Sequence, residues 1–436
     1  MGDGLSRLLF RLYDVALALV IATVLVPTMV VRIILGRSHI ELLRERLGRT
    51  RELSIEPHPS LLVHAVSVGE MAAARPLIAA LKEAMPSVRF ILTTGNREGR
   101  TAAEQLSKAY PEIAKVCYLP WDRHTATRRW MRRIKPSAVI VIETEIWPNL
   151  FRSARELSIP LFIVSGRIYP KDRSRYRLAR RFFRLVLASV DWIGVQSEEE
   201  RISFIRAGAP DHRVEVVGNL KHDIILSDGL PRPWQVAFEQ PCETPLIVAG
   251  STHHPEETWL IEALHRLRQD DLFARLVLAP RHPRRADAVQ QMVVTAGWAT
   301  ACWSEGARAD SSWEVLILDQ VGPLAAIYQW ADVAVIGGSL SRLGGHNPLE
   351  AAHRSRAIIV GPHHENFREI VHGLDHVGGV RVLPQVGDVR QALFSALCDL
   401  MRDSRQRKEM GRHAFEYVRN HHGIAQRYAQ SLVARI

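Results

Sequence analysis

The chain has 436 residues, too many for one ordinary hydrophobic core, which predicts two domains of roughly 200 residues each. Hydrophobic residues make up 47% and charged residues 24%, a balance typical of globular proteins. The formal net charge of +11 indicates an anionic partner, and its arginines are not gathered in a basic tail with interleaved aromatics, so the pattern favours anionic lipid and phosphorylated substrates over nucleic acid.

The first predicted element is an apolar helix near the N-terminus. Residues 15–31 contain no charge, and the apolar residues that flank them make the stretch long enough to span a bilayer. Arginines after this stretch outnumber those before it, which places the bulk of the chain in the cytoplasm. No small-residue cleavage site follows, so residues 1–37 are predicted to be a retained membrane anchor. A helix lying on the membrane surface is the alternative.

From residue 61 onward, short apolar strands alternate with helical stretches, which predicts doubly wound parallel sheets. Helices are predicted over 72–84 and 175–188. The first series of strands is predicted at 61–66, 90–93, 116–119, 138–142, 161–164 and 192–195.

A linker rich in Pro and Gly at 227–245 separates a second series of the same kind. Its strands are predicted at 246–249, 275–279, 315–318, 333–336 and 357–360. The tail from residue 389 is predicted to be helical, and its final helix can fold back over the first domain. The predicted fold class is therefore α/β, with two Rossmann-like domains at 38–230 and 231–436 that face each other across a cleft.

Residues 67–70 follow the first strand, where ligands collect in such sheets. Glu70 lies at a strand–helix junction, and a carboxylate there can act as a general base toward a hydroxyl. Its alternative role is to stabilise the positive end of a helix that begins near Met71. Ser67 and Gly69 are further candidates for substrate binding.

Glu143 and Glu145 follow the strand at 138–142, just before a Trp-Pro turn. Carboxylates near a buried strand need partners, so one of them can form a structural ion pair with Arg167 at the end of the next strand. Substrate binding by Glu143, Glu145 and Arg167 is the other interpretation.

In the second series, two strand ends carry groups suited to an anion. Hydroxyls and backbone donors follow the strand at 246–249, although a simple N-cap of the helix near Pro255 would explain them too. The next strand ends in an arginine, which can bind a phosphate or carboxylate in a bidentate fork. The candidate residues are Ser251, Thr252, His253, Pro280 and Arg281.

A glycine-rich loop follows the strand at 333–336, and Gly337 and Gly338 leave little bulk over the strand's end. The run Asn347, Pro348, Leu349 and Glu350 predicts an N-cap, a proline at N1 and a glutamate at N3 of a new helix. Unpaired N–H groups at such a helix start suit a nucleotide phosphate. Glu350 either completes a capping box or contacts the ligand.

No metal or cofactor site is predicted. Three His-His pairs occur, but adjacent residues rarely converge on one ion, and no acidic cluster has ligand spacing. The four cysteines lie far apart without a Cys-x-x-Cys pair, which argues against a zinc site or a disulfide framework.

Seven motifs, taken together, resemble the 3-deoxy-D-manno-octulosonic acid (Kdo) transferase family of lipopolysaccharide synthesis. They occur in one fixed order over nearly the whole chain. The motifs are HAVSVGE at 64–70, ETEIWPN at 143–149, GNLKHD at 218–223, GSTH at 250–253, PRHP at 280–283, GGSL at 337–340 and GGHNPLEAA at 344–352.

The resemblance implies a GT-B glycosyltransferase that moves Kdo from CMP-Kdo to a lipid A precursor, lipid IVA, with inversion. It implies one N-terminal span in the inner membrane, with the catalytic domains on the cytoplasmic side. Glu70 would be the general base. The implied CMP contacts are Pro280, Arg281, Val321, Gly322, Pro323 and Asn347 to Glu350.

The chain departs from the family pattern at two of these places. The usual Gly-Glu-Leu reads Gly322-Pro323-Leu324 here, so a contact by that glutamate side chain is absent. The usual Asn-Ala-Arg reads Ser165-Gly166-Arg167, which keeps only the arginine.

Three other functions fit parts of the sequence. A GT-B enzyme that uses or epimerises a UDP-sugar would share the fold and the contact by Glu350. A membrane-anchored scaffold that binds anions would leave Glu70 without a role. A basic nucleic-acid binder would show tight, salt-sensitive binding.

Overall fold

The structure is a computed structural model that describes residues 3–36, 40–49, 59–224, 229–239, 244–306 and 313–436. It divides into two units, Met1–Ile224 with Gly423–Ile436, and Ile225–His422. Each unit contains one seven-stranded parallel sheet with helices, so the predicted α/β class is confirmed.

The first sheet has the strand order β3-β2-β1-β4-β5-β6-β7. Its central strands are runs of β-branched and other apolar residues, and every residue of β1 and β4 is buried, as expected for strands covered on both faces. The strands are β1 (Ser60–His64), β2 (Arg89–Thr94), β3 (Ile113–Tyr118), β4 (Ala138–Ile142), β5 (Leu161–Gly166), β6 (Trp192–Val195) and β7 (Val214–Val216).

The helices of this unit lie before and between these strands. They are α1 (Asp3–Val20), α2 (Val26–Ile34), α3 (Ile40–Arg46), α4 (Val68–Ala84), α5 (Arg97–Ala109), α6 (His124–Ile134), α7 (Pro148–Glu156), α8 (Pro170–Leu178), α9 (Arg180–Leu187) and α10 (Glu198–Ala207). A π-helical segment, Ile21–Leu25, joins α1 to α2.

The second sheet has the order β10-β11-β9-β8-β12-β13-β14. Its strands are β8 (Leu246–Thr252), β9 (Arg275–Pro280), β10 (Thr300–Cys302), β11 (Val315–Ile317), β12 (Val333–Ile336), β13 (Ala357–Val360) and β14 (Arg381–Val382). Its helices are α11 (Arg232–Glu239), α12 (Glu256–Gln269), α13 (Ala286–Thr295), α14 (Leu324–Ile327), α15 (Leu349–His353), α16 (Arg368–His376), α17 (Val389–Arg402) and α18 (Ser404–Asn420).

In each sheet the winding direction reverses at one place. The chain runs outward from β1 through β2 to β3 and then returns to place β4 on the other side of β1. In the second sheet, β12 returns to the other side of β8 in the same way. Loops that leave the strands at such a reversal diverge, and the crevice between them is where ligands bind in α/β proteins.

The sequence patterns missed the three short strands β7, β10 and β14. Each of them lies at the edge of its sheet, where one side of the strand stays unpaired and a long apolar run is not required. The predicted helix at 175–188 is broken at Ala179 into α8 and α9. Helix α4 begins at Val68 rather than near Met71, because Ser67 is its N-cap.

The final helix, α19 (Ile424–Val433), belongs to the first unit, whereas the predicted boundaries placed it with the second domain. It is held by Tyr428, which is fully buried and donates its hydroxyl to the carbonyl oxygen of Gly218 at 2.9 Å. A Cβ at Gly194 of β6 would come 2.4 Å from Cε1 of Tyr428, so glycine lets the ring lie against the sheet.

Asp223 caps the start of α19 from a distant part of the chain. Its carboxylate accepts the backbone N–H groups of Gly423 at 2.9 Å and Ala425 at 2.5 Å. These are among the N–H groups that a helix start leaves without an intrahelical partner. The contact therefore fixes the C-terminal segment to the first unit.

The N-terminal helical segment Arg7–Ile34 is long and apolar enough to cross a membrane, judged by length and composition only. Most of its large apolar side chains are exposed, including Val15, Leu19 and Ile34. A residue within this segment and one after it nevertheless bond to the rest of the first unit: Tyr13 donates its hydroxyl to Asp122, and Arg46 donates to the carbonyl oxygen of Leu119.

We expect Asp223→Ala to destabilise the docking of α19, because loss of a helix cap costs about 1–2 kcal/mol. Urea unfolding followed by tryptophan fluorescence would measure this, since Trp192 lies 5.9 Å from Tyr428 between ring centroids. Asp211→Ala is the matched control, because that carboxylate is 66% exposed and pairs only with exposed Arg201. Equal unfolding midpoints for the two variants would contradict the capping role.

Candidate functional site

Glu70 lies at the carboxyl end of β1, beside the reversal of the first sheet. Ser67 caps α4 by accepting the N–H of Glu70 at 3.3 Å. The Glu70 carboxylate turns back and its Oε2 accepts the N–H of Val66 at 2.5 Å. One carboxylate oxygen is thus held by the backbone, while Oε1 makes no hydrogen bond to another described residue and can accept a proton.

Glu143 and Glu145 are brought to the same place by the end of β4. Glu143 is 2% exposed, and its Oε1 pairs with Nζ of Lys221 at 2.5 Å. The ion pair with Arg167 that the sequence allowed is therefore wrong for Glu143, because Lys221 takes that position. Glu145 is only partly buried, so it is the more accessible of the two.

Arg167 joins this group through Tyr169 and the backbone. Its guanidinium carbon lies 4.1 Å from the centroid of the Tyr169 ring, and its carbonyl oxygen accepts the Thr144 hydroxyl at 2.6 Å. The structure therefore brings together all the candidates of the first unit. We call Glu70, Glu143, Glu145, Lys221 and Tyr169 the carboxylate cluster.

Burial and mutual repulsion shift the titration of this cluster. Burial, reinforced by the charges of Glu143 and Glu145, raises the pKa of Glu70 to about 8, against the opposing effects of the Val66 N–H and Lys221. Burial and Glu143 raise the pKa of Glu145 to about 7. Burial and the same carboxylates raise the pKa of Tyr169 to about 12. A carboxylate that titrates near neutral pH is suited to general acid–base chemistry.

A hydrogen-bonded chain supports the loop that carries Glu145. Trp147 Nε1 donates to Nε2 of His64 at 3.1 Å, and Nδ1 of His64 lies 2.9 Å from the Thr93 hydroxyl. Burial lowers the pKa of His64 to about 3, so the ring is neutral and Nδ1 carries its proton.

Asp122 holds the helix that follows this loop. Its carboxylate accepts the N–H groups of Asn149 at 2.9 Å and Leu150 at 2.8 Å. These residues begin α7, whose own N-cap, Trp147, makes no side-chain capping bond. A carboxylate from another loop therefore caps α7 and fixes where the 143–147 loop ends.

In the second unit, Glu256 joins the loops that leave β8 and β12. Its Oε2 accepts the N–H groups of His253 at 2.9 Å and Gly338 at 2.8 Å. Its Oε1 accepts the N–H groups of Leu340 at 3.1 Å and Ser341 at 3.0 Å, and the Ser341 hydroxyl at 2.9 Å. The side chain is fully buried, so these five bonds replace its solvation.

His253 and His346, from the loops after β8 and β12, are in contact with each other. Their Nε2 atoms lie 2.9 Å apart, and the rings are nearly parallel at 9°. Burial lowers the pKa of both side chains, that of His346 to about 3, so one neutral ring donates to the other. Gly338 has a φ of +67°, and a Cβ there would come 2.8 Å from Cδ2 of His346, which explains the glycine.

Arg281 and Glu350 form the charged part of the second site. Burial raises the pKa of Glu350 to about 7, and the Arg281 guanidinium acts against that rise. The backbone N–H of Arg281 donates to the carbonyl oxygen of Thr252 at 2.9 Å, which ties the ends of β8 and β9 together. Within the described residues, neither side chain of this pair donates or accepts a hydrogen bond, so both are available to a ligand.

The helix start at Asn347 differs from the prediction. Helix α15 begins at Leu349, its N-cap is Pro348, and it has 5 residues. Asn347 Oδ1 does accept the Leu349 N–H at 3.1 Å. A capping box by Glu350 is wrong, because the proline at the N-cap has no N–H to accept. A helix this short has a small dipole, so Arg281 is the main positive group here.

The remaining candidates of this unit lie at the end of β8 and in the loop after β11. The hydroxyls of Ser251 and Thr252 do not cap α12, whose N-cap is Pro255 without a side-chain bond. Val321 lies in an exposed turn at 77% exposure, and Gly322 has open space around it. Pro323 begins α14, and no described contact joins these three residues to Arg281 or Glu350.

Backbone strain marks both sites. Glu143 directly follows β4 and has a φ of +61°. Ser165 and Ser251 are the residues before the last in β5 and β8, with φ angles of +55° and +57°. Residues other than glycine rarely adopt this left-handed conformation, and it concentrates at functional positions. Within the described ranges, no three His, Cys, Asp or Glu side chains are grouped to hold a metal ion.

Sequence reasoning did not assign roles to Lys221, Glu256, His346 or Asp122. Lys221 lies inside the GNLKHD motif and His346 inside GGHNPLEAA, so the motifs marked them without indicating their contacts. Glu256 and Asp122 act on loops distant in sequence, and no local pattern identifies such a contact.

We expect Glu145→Gln to lower the pKa of Glu70 below its value of about 8, because it removes one of the two negative charges that raise it. Isotope-edited infrared or NMR titration of the glutamate carboxyl groups would measure the shift. Glu198→Gln, at the exposed start of α10, is the control and should leave that pKa unchanged. An unchanged or higher pKa in Glu145→Gln would contradict the coupling.

The chain is similar in sequence to known transferases. The sequence model of the 3-deoxy-D-manno-octulosonic-acid transferase (kdotransferase) family matches residues 41–224. The 3-deoxy-D-manno-octulosonic acid transferase of Bordetella pertussis is 33% identical over 376 residues, which cover 85% of this chain and 86% of the relative. The Haemophilus influenzae transferase of the same name is 29% identical over 88% of this chain and 89% of its own.

Among solved structures, a glycosyltransferase from Rickettsia africae matches with a TM-score of 0.57 over 86% of this chain and 98% of its own. Its identity is 11%, so the likeness is one of fold alone, and it agrees with the GT-B class predicted from the sequence. The identity to the Bordetella pertussis relative extends through both units, and with it the chain belongs to the 3-deoxy-D-manno-octulosonic acid transferase family.

Proposed function

We propose that this protein transfers Kdo from CMP-Kdo to a lipid A precursor, lipid IVA, at the cytoplasmic face of the inner membrane. The observation that carries the proposal is the family relationship over 85% of the chain. The net charge of +11 fits a protein whose donor, acceptor and membrane are all anionic.

The second unit is proposed to bind the donor. Arg281 makes no side-chain hydrogen bond or ion pair with another described residue, so its guanidinium is available to the phosphate of CMP. Glu350 lies beside it, where its carboxylate can accept ribose hydroxyls. Glu256 holds the Gly338 and Ser341 N–H groups in place, which keeps the loop after β12 ready before the nucleotide arrives.

The first unit is proposed to bind the acceptor and to supply the base. Oε1 of Glu70 takes the proton from an acceptor hydroxyl as that oxygen attacks the anomeric carbon of Kdo. The bond from this carbon to the CMP phosphate breaks, and CMP leaves on the opposite face with inversion. A pKa near 8 places Glu70 close to the pH at which a base is both deprotonated and strong enough to act.

The leaving phosphate is proposed to be stabilised without a metal cofactor. Arg281 supplies a positive charge. This charge can balance the one that develops on CMP as it leaves.

Mass spectrometry of the lipid product tests the proposal. Detergent-solubilised protein would be incubated with CMP-Kdo and lipid IVA, and a gain of one or more Kdo masses is the expected result. The UDP-sugar alternative predicts no gain and competition by UDP rather than CMP for the donor site. That alternative is supported only by fold, whereas the sequence relationship favours Kdo.

We expect Glu70→Gln to lower the transfer rate by about a hundred- to ten-thousand-fold, the typical loss when a general base is removed. The amide oxygen of Gln can still accept the Val66 N–H, so the fold and donor binding should be kept. Single-turnover transfer measured by the same lipid assay would give the rate.

Glu98→Gln is the matched control for Glu70→Gln. Glu98 lies in the first turn of α5, the helix that follows β2, and it is exposed. If Glu70 only stabilised the positive end of a helix, both variants would lose the same small amount of activity. Near-normal turnover by Glu70→Gln would rule out its role as the base.

A further inference from the structure

The N-terminal helix α1 is bonded to the first unit through its second and third turns. The Tyr13 hydroxyl donates to Oδ2 of Asp122 at 2.9 Å, and Nδ2 of Asn149 donates to Oδ1 of Asp14 at 2.7 Å. Phe10 and Tyr13 also pack against the Phe182 ring of α9, at 5.5 and 5.6 Å between centroids. This end of the helix is therefore fixed on the first unit.

The chain returns to the same place after α2. The Glu45 carboxylate accepts the N–H of Tyr118 at 2.9 Å and pairs with Arg100 at 2.9 Å. The carbonyl oxygen of Arg46 accepts the N–H of Trp121 at 2.8 Å. Because Trp121 is the neighbour of Asp122 in the chain, residues 13 and 46 are attached at adjacent positions.

These attachments decide how the apolar helix meets a membrane. A single crossing between residues 14 and 45 would place its two ends on opposite sides of the bilayer, about 30 Å apart. Two crossings would require a second apolar stretch of about 20 residues. Residues 35–45 are too few for one, and they include Glu41 and Arg44.

We infer that the helix formed by α1 and α2 lies on the membrane surface and does not cross the bilayer. Both of its ends are attached to the first unit and lie on the same side of the membrane. This replaces the single span predicted from the sequence with the surface helix that was its alternative. The partner that binds the outer face of this helix is an anionic lipid bilayer.

The two faces of the helix fit this arrangement. Ile21, near its middle, is 7% exposed, so protein covers the inner face there. The outer face carries large apolar side chains, and such a face inserts into the boundary between head groups and acyl chains. The exposed large apolar residues are Leu8, Leu12, Val15, Leu19, Val20, Val24, Val30, Val31, Ile34 and Leu35.

Helices α8 and α9 extend the same surface with positive charge. Because α9 packs on α1 through Phe182, its exposed arginines lie beside the apolar helix. Leu178, between the two helices, is 92% exposed. An exposed apolar side chain among arginines is suited to anionic head groups. The arginines are Arg177, Arg180, Arg181 and Arg184.

Labelling of single cysteines tests on which side the helix begins. In a Cys242→Ser background, Gly4→Cys and Gly229→Cys would each be exposed to a membrane-impermeant maleimide in sealed vesicles of both orientations. Both positions are exposed, and a Cβ meets nothing at either. The native Cys117, Cys302 and Cys398 are buried and should not react.

The inference expects both sites to be labelled in inside-out vesicles and neither in right-side-out vesicles. Labelling of Gly4→Cys only in right-side-out vesicles would establish a span and overturn it. Failure of Gly4→Cys to react in either orientation, while Gly229→Cys reacts, would place that end in lipid and overturn it as well. Neither result depends on which sugar the protein transfers.

Vesicle sedimentation tests the lipid surface. With vesicles of phosphatidylglycerol and phosphatidylcholine, Arg180→Gln and Arg181→Gln should each weaken binding about fivefold, the equivalent of about 1 kcal/mol per charge. Arg402→Gln and Arg405→Gln, which remove exposed charges from the second unit, are the matched controls and should bind as the unaltered protein does. Equal binding by all four variants would overturn the assignment of this surface.

Discussion

Both parallel sheets reverse their winding beside a central strand, and the positions of the candidate residues depend on that constraint. At the reversal, the loops after β1 and β4 separate, as do those after β8 and β12. A strand covered on both faces can carry few polar groups along its length, so reactive side chains collect where it ends. Glu70 and Glu143 lie at the first reversal, and His253 and Gly338 lie at the second.

The side chains at the two reversals carry opposite charges. The first unit collects carboxylates. Burial and their mutual repulsion raise the pKa of Glu70 and of Glu145, and Lys221 offsets part of that rise for Glu70. The second unit places the positive charge of Arg281 beside one partly buried acid, Glu350. A base needs a high proton affinity, whereas a leaving phosphate needs a cation. The charges of each unit therefore match one half of a transfer reaction.

The sequence predicted the fold and most site positions because these depend on local patterns. Strands β4, β6, β12 and β13 agree with their predicted bounds to the residue, since each is a short apolar run bounded by turn signals. The edge strands β7, β10 and β14 were missed because they lack such runs. The ion-pair partner of Glu143 could not be predicted from the sequence either. It is Lys221 and not Arg167, because the lysine lies on a loop that is distant in the chain.

Glu256 is a second residue whose contacts could not be predicted from the sequence. Its place in the first turn of α12 predicts only a favourable contact with the helix dipole. In the structure its carboxylate instead satisfies four backbone N–H groups from two loops, of which three follow β12, more than 80 positions away in the chain. Such a contact depends on which strands become neighbours, and strand order is a property of the whole sheet.

Asp122 connects helix α1 to the carboxylate cluster. The same carboxylate accepts the Tyr13 hydroxyl and the two N–H groups that begin α7, and the loop just before α7 carries Glu145. Because one buried side chain holds both elements, the attachment of the helix and the position of the loop are fixed together rather than through a flexible tether.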